Sequence, residues 1–515
     1  MEFPRFKTAA DPLEFHACHQ SSRIAFVCDG RTLTYGDLHR SSSRLAQAMI
    51  SVGIAPGTRV AYLGMESIEY YEIFFACAKS ATVLVPINWR LASSEVTHIL
   101  KDCGAAVLFV EPRFHDVVLK AREAPPALRV VVLLDGREKT DSLCPGVTDQ
   151  QLSQRIQLAV SEDDAVVQLY TSGTTGQPKG AVLAHRSFFK IREGLAAEGI
   201  DWIDWRRDDV SLIAIPFFHV AGAWWAMQGV SAGVTNVGLP SFAGDSAIRL
   251  IKEWKISTTL VVPAMLYMML SESDDDDSFR SLRRVFYGGA PIAESLLAKC
   301  ITTMGCEFAQ LYGLTECGAV VVCLPPRDHC PGSSRIRATG LPLPGVRLKI
   351  IGPDGADLGR SAIGEICLHT PTVMVEYWGM PAATKETLID GWLRTGDAGY
   401  LDEEGYLYVS DRIKDLIIVA GENVYPAEVE NALCDHPDVV EAAVVGMTDE
   451  RWGESVFAFV VRRTDTTITP RALTTFLQSR IAPFKIPSRY RFIENLPRNA
   501  TGKILRRQLR PQIPL

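Results

Sequence analysis

The sequence predicts an α/β protein in two parts: a large N-terminal domain of helix-flanked β-sheets, residues 1–411, and a small C-terminal α+β domain, residues 412–515. Three observations carry this. At 515 residues the chain exceeds the size at which one hydrophobic core keeps growing. Helix-like and strand-like apolar patterns alternate up to about residue 410, the order that lays helices on the faces of a sheet. After the charged run Asp411-Arg-Ile-Lys-Asp415 the pattern restarts in miniature, over a length sufficient for a small domain of its own.

Taken in order, Leu38, Leu45, Ala48 and Met49 give residues 35–52 a helical spacing. The apolar run 60–63 reads as a strand, 68–79 as a helix and 83–86 as a strand. Residues 135–154 are polar and turn-rich, a loop excursion. Strands are expected at 166–170, 181–184 and 284–287. The run Asp274-Asp-Asp-Asp277 reads as a solvated loop tip rather than a metal site. In the second part, 426–434 fits a helix with Val429, Ala432 and Leu433 on one face; strands follow at 439–445 and 455–461, then an amphipathic helix over 472–481.

Composition narrows the class. With 47% apolar and 22% charged residues the chain reads as globular. A net charge of −7 argues against a nucleic-acid surface. No secretion signal opens the chain, and the longest apolar stretch, 256–270, is interrupted by Thr258, Thr259 and Pro263, so no transmembrane segment is expected. Peripheral membrane contact and a homodimer stay open. The twelve cysteines include no Cys-x-x-Cys, and Cys317, Cys323 and Cys330 lack a ligand-spaced His pair. Free thiols in a reducing, cytoplasmic compartment are the expectation.

The chemistry begins at residues 171–180, Thr-Ser-Gly-Thr-Thr-Gly-Gln-Pro-Lys-Gly, between two strand-like runs. Gly173, Gly176 and Gly180 let the backbone turn sharply and approach a ligand. Thr171, Ser172, Thr174 and Thr175 supply hydroxyls and Lys179 a cation, which together suit a polyphosphate. It is not the common nucleotide loop, because Pro178 precedes Lys179 and Gly180 follows it. Further along lie Tyr312-Gly-Leu-Thr-Glu316, Thr395-Gly-Asp397, Asp411-Arg412 and Pro497-Arg-Asn-Ala-Thr-Gly-Lys503. Each is weak alone; their order is specific.

In these motifs the chain resembles the adenylate-forming superfamily of acyl- and aryl-CoA synthetases, amino-acid adenylation domains and beetle luciferases, from Leu33-Thr-Tyr35 to Lys503. The resemblance implies a two-step ligase with a mobile C-terminal domain, using ATP, Mg2+ and CoA. A small-molecule carboxylic acid attacks the α-phosphate, giving acyl-adenylate and pyrophosphate, and a thiol then displaces AMP. It implies that Thr171, Ser172, Gly173, Thr174, Thr175, Gly176 and Lys179 hold phosphates, that Glu316 with Thr171 holds the metal, and that Thr315 touches the α-phosphate. Tyr312 would stack on adenine; Asp397 and Arg412 would take the ribose; Gly289, Ala290, Pro291 and Gly313 would line the nucleotide. Lys503 would bridge the attacking carboxylate and the α-phosphate, where negative charge builds.

The resemblance also makes Lys414 the hinge, and Gly421-Glu422 part of the pantetheine tunnel. Val419-Ala420 stands where many relatives carry Ser-Gly, adding a methyl near that path. His219, in Pro216-Phe-Phe-His-Val220, would close the acyl pocket with Val220, Trp224, Gly288 and Gly313. Phe217-Phe-His219 occupies the region where an Asp would bind an α-amino group, so an apolar acid, fatty, aromatic or alicyclic, is expected. The leading reading is an acyl-CoA ligase. A loader of carrier-protein phosphopantetheine, a luciferase-like oxygenase and a non-enzymatic nucleotide-binding relic are the alternatives; intact Lys179, Glu316, Asp397, Arg412 and Lys503 argue against the last.

Overall fold

The computed structural model describes residues 4–122, 127–134, 156, 158–171, 178–200, 205–273, 277–290, 292–330, 332–419, 422–449, 451–464, 466–498 and 504–510. The loop expected at 135–154 and most of the acidic run, 274–276, lie outside them. Architecture is α/β, a large N-terminal part with three sheets and a smaller C-terminal part with one.

A seven-stranded sheet runs in the order Glu376–Tyr377, Lys179–Ala184, Ala165–Thr171, Val83–Ile87, Arg59–Leu63, Val107–Val110, Val130–Leu133. A nine-stranded sheet holds Glu307–Tyr312, Arg284–Gly288, Thr258–Val261, Val210–Ile213 and Thr235–Gly238 side by side at its centre. Every residue of Val83–Ile87 is buried, which is why that strand reads as a continuous apolar run without alternation. The helix Ile68–Lys79 is buried over all but one residue, and its side chains enter the main core. Ser67 caps it, its hydroxyl accepting the Tyr70 N–H at 3.3 Å.

A third sheet pairs Gly364–His369 and Leu407–Arg412 with the long strand Trp392–Leu401. Arg412 therefore ends a strand, in register with Asp397. Beyond it, Ile417–Val419, Glu422–Val424, Val439–Asp449, Gly453–Arg462 and Arg489–Phe492 make the fourth sheet, with apolar clusters on both faces. Its long hairpin is paired out to Asp449 and Gly453, past the expected strand ends. The helix expected at 472–481 is Pro470–Leu477, started by the Thr469 hydroxyl accepting the Ala472 N–H. Among the described residues no helix is long and apolar enough to cross a membrane, and the described cysteines are unbridged.

The helix Val220–Ala232 is buried from Gly222 onward and lies against the 215–216 turn that leads into it. A methyl on Gly222 would stand 2.3 Å from the Ile215 carbonyl oxygen and 2.4 Å from that of Pro216. Gly222→Ala is accordingly expected to lower stability by about 1–3 kcal/mol, the scale of an overpacked core, measured as a shift of the urea midpoint.

Candidate active site

Strand register builds one end of the candidate site. Ala165–Thr171 and Lys179–Ala184 pair antiparallel with Thr171 opposite Lys179, so hydroxyl and ammonium flank the same end of the hairpin. Ser172, Gly173, Thr174, Thr175 and Gly176 lie outside the described residues. The short strand Glu376–Tyr377 pairs with Lys179–Ala184 on its other side, and the Trp378 N–H donates to the Gly180 carbonyl at 2.8 Å. That pairing brings the Tyr377 ring beneath the Lys179 ammonium, 5.0 Å from the ring centre.

The Tyr377 hydroxyl donates to Glu316 Oε1 at 2.6 Å. Glu316 lies in the single turn Thr315–Cys317, held by the Met374 N–H on its carbonyl at 2.9 Å. Lys179, Tyr377 and Glu316 thus form one line across three segments distant in sequence. Sequence reasoning missed Tyr377: Glu376-Tyr-Trp-Gly379 carries no charge pattern, and only the strand pairing reveals its place. Burial, then the neighbouring Glu316, pushes the Tyr377 phenol far above its ordinary range, so it remains a donor.

A second junction lies at Asp397, which is 6% exposed. Tyr312 donates its hydroxyl to Oδ2 at 2.7 Å and Arg412 Nε reaches Oδ1 at 2.8 Å. Arg412 also donates to the Thr395 carbonyl at 3.0 Å. Each carboxylate oxygen keeps further acceptor capacity, which suits two sugar hydroxyls. Burial works against the Arg412 charge, yet Asp397, Tyr312 and Glu316 outweigh it and hold its pKa up. Gly313 must lack a side chain here, because a methyl would sit 1.6 Å from the Ala319 carbonyl. Gly288 ends the strand Arg284–Gly288, with Gly289 exposed and Ala290 half-buried after it; Pro291 lies outside the described residues.

Donor chemistry admits a hard cation. Glu316 is half-buried, and among the described residues it has no ion-pair partner and no cluster of three or more His, Cys, Asp or Glu surrounds it. A site with one carboxylate suits Mg2+, which keeps waters and leans on substrate phosphates. Thr171, whose hydroxyl donates to the Lys179 carbonyl at 3.4 Å, stands by the same hairpin.

His219 caps the helix Val220–Ala232. Its Nε2 is buried without a partner, while the ring edges against Phe218 at 4.7 Å. Burial, then Arg90, pushes its pKa down to about 3, so the ring is neutral at physiological pH. Val220 is half-buried and Trp224 buried. In the smaller part Glu422 is exposed at the start of a strand, and Lys414 falls in the turn Ile413–Asp415 with its side chain outside the described residues. Gly421 and Lys503 also lie outside them. Sequence reasoning also missed Arg506, which pairs with Glu430 at 2.7 Å and reaches Asp411 at 3.9 Å, joining the helix Arg506–Leu509 to the strand Leu407–Arg412.

The family model of AMP-binding enzymes matches residues 13–378, and that of the AMP-binding enzyme C-terminal domain matches 428–503. The chain belongs to the AMP-binding enzyme family. Within it, the chain is 54% identical over 511 residues to the fatty acid–[acyl-carrier-protein] ligase ScoC of Streptomyces coeruleorubidus, covering 99% of this chain and 97% of that protein. It is 37% identical to the indoleacetate–CoA ligase of Aromatoleum aromaticum, covering 97% and 96%. The o-succinylbenzoate CoA synthetase of Bacillus subtilis, solved with its acyl-adenylate intermediate, superposes with a TM-score of 0.82 at 30% identity over 97% of each chain. These matches set the AMP-binding enzyme described here in the acyl-CoA synthetase branch of the adenylate-forming superfamily.

Tyr377→Phe removes a charge-assisted hydrogen bond from Glu316 without changing the packed ring. ATP–pyrophosphate exchange is expected to lose about tenfold in kcat/KM for ATP, with the KM of the acid little altered.

Proposed function

We propose that the chain activates an apolar carboxylic acid, a fatty acid foremost, with ATP and delivers it to the phosphopantetheine thiol of a carrier protein. The observation that carries the first half is the pair of polar junctions at Asp397 and Glu316, one suited to a ribose and the other to phosphates with their cation. The second half rests on the 54% identity to ScoC across almost the whole chain.

In this reading residues 1–411 form the body and 412–515 the lid, hinged near Lys414. The acid's carboxylate oxygen attacks the α-phosphorus, the bond to the β-phosphate breaks and pyrophosphate leaves. Little covalent chemistry falls to the protein, so positioning and charge decide the rate. Lys179, Thr171 and residues 172–176 hold the leaving phosphates. Mg2+, bound through Glu316 and Thr171, would supply charge neutralisation at the phosphates. By resemblance to the family, Thr315 and Lys503 would contact the α-phosphate, and Tyr312, Gly289, Ala290, Pro291 and Gly313 the base.

His219, being neutral, offers a hydrogen-bonding ring beside the acid rather than a competing cation. Val220, Trp224 and Gly288 complete an apolar wall. In the second step the thiol sulfur bonds to the acyl carbon, its proton is lost and AMP departs. Gly421 and Glu422 border the thiol's path. Free CoA as acceptor is the second reading, favoured by the CoA ligases among the relatives.

An acid panel in ATP–pyrophosphate exchange, followed by mass spectrometry of acyl products with CoA or holo carrier protein, tests both halves. Exchange confined to apolar acids and acylation of the carrier protein ahead of CoA are expected. Exchange with amino acids alone would overturn the first half, and faster turnover with CoA the second.

A further inference from the structure

A buried carboxyl with no role in the reaction above lies directly behind the acyl-site turn. Glu66 is 3% exposed, between the strand Arg59–Leu63 and the helix Ile68–Lys79. Its Oε2 accepts the Phe217 N–H at 3.2 Å, and its Oε1 accepts the Tyr71 hydroxyl. Phe217 is two residues before His219, whose own N–H donates to the Pro216 carbonyl at 3.0 Å. The Phe217 ring stacks on Tyr70 with centres 3.8 Å apart and meets Tyr62 edge-on at 5.2 Å.

We propose that Glu66 is a positioning residue of the acid site: by holding the Phe217 amide it fixes the 216–219 turn, and with it the His219 ring at the head of Val220–Ala232. This rests on the assignment of His219 to the acid pocket. A buried amide that loses its acceptor is costly, so the turn has a strong reason to follow the carboxyl. No other hydrogen-bond acceptor for the Phe217 N–H is found among the described residues.

The groups facing the carboxyl are neutral. Tyr70 and Tyr71 come from its own following helix, Tyr62 from the preceding strand, and Cys28 from the strand Ile24–Cys28, its thiol donating to the Glu66 carbonyl at 3.2 Å. The strand Thr235–Gly238 presses on Glu66 with a glycine, since a methyl on Gly238 would come 3.1 Å from Glu66 Cγ. The acyl turn contributes only its amide. Among the described residues no Lys, Arg or His forms an ion pair with Glu66. Burial therefore raises its pKa to about 8, against the lowering pull of Tyr71 and the Phe217 amide. The carboxyl is mainly protonated at neutral pH. Because the folded value lies above the ordinary 4.5, its contribution to stability falls as pH rises from 4.5 to about 8 and is flat above.

Exchange kinetics of Glu66→Gln and Glu66→Met, from pH 6.5 to 9.5 with about the same apolar acid and ATP ranges, test the inference. The amide of Gln can accept from Phe217 and donate to Tyr71, whereas Met can do neither. The Met variant is expected to raise the acid's KM about tenfold with the KM of ATP unchanged, and the Gln variant to stay near the parent. Ionisation leaves the Phe217 amide held but puts a like charge behind the acid's carboxylate, so the parent's acid KM should rise as pH passes about 8, and the Gln profile should be flat there. An unchanged acid KM in the Met variant, or parallel rises for acid and ATP, would overturn the proposal. If the Met variant does not fold, the Gln profile decides: a rise near pH 8 that persists in Gln overturns it. Absence of exchange with every apolar acid in the parent would instead defeat the functional reading on which it rests.

Discussion

The carboxylate of Asp397, shared between the Tyr312 hydroxyl and the Arg412 guanidinium, is the constraint around which the site is organised. An acid this buried is tolerated because both oxygens are hydrogen-bonded and one faces a fixed cation. The consequence is geometric. Tyr312 ends the strand Glu307–Tyr312 of the nine-stranded sheet, while Asp397 and Arg412 face one another across two strands of the third sheet. One hydrogen-bonded junction therefore ties the two sheets together at the point proposed above to receive the ribose. Arg412 also ends the last strand of the third sheet, so the same junction holds the chain where it leaves the N-terminal part.

The Lys179–Tyr377–Glu316 line does the same for the proposed phosphate end, by different means. Here a phenol stands between cation and carboxylate, giving its hydroxyl to one and its ring face to the other. A direct Lys–Glu pair would neutralise both charges. Separated by the ring, each stays available for the ligand proposed above: the ammonium for phosphate oxygens and the carboxylate for a hard cation. In the proposed acid site Glu66 follows a related logic, an uncharged carboxyl ordering a turn without placing a like charge beside an incoming carboxylate.

Legibility in the sequence followed the source of each element's stability. Helices Ile68–Lys79 and Pro426–Cys434 coincide with their apolar patterns, because burial of those faces is what makes them. The hairpin Val439–Asp449 with Gly453–Arg462 runs past its apolar core, since backbone pairing alone carries the polar tip. Helix Pro470–Leu477 starts two residues before the expected one because a Thr cap and a proline fix its first turn. At the candidate site the order of the motifs singles out Tyr312, Glu316, Asp397 and Arg412, and the structure joins Tyr312, Asp397 and Arg412 in one junction. Tyr377 and Glu66 were not: one is placed by strand register, the other by burial behind a turn more than a hundred residues away.

Equilibrium binding of AMP and of 2′,3′-dideoxy-AMP to the parent and to Asp397→Asn, by calorimetry, tests the central claim most directly. Two charge-assisted hydrogen bonds from the sugar predict that the parent prefers AMP by at least about tenfold, and that the Asn variant loses most of this preference. A variant that still separates the two nucleotides as well as the parent does would contradict the account, because the ribose would then be held elsewhere.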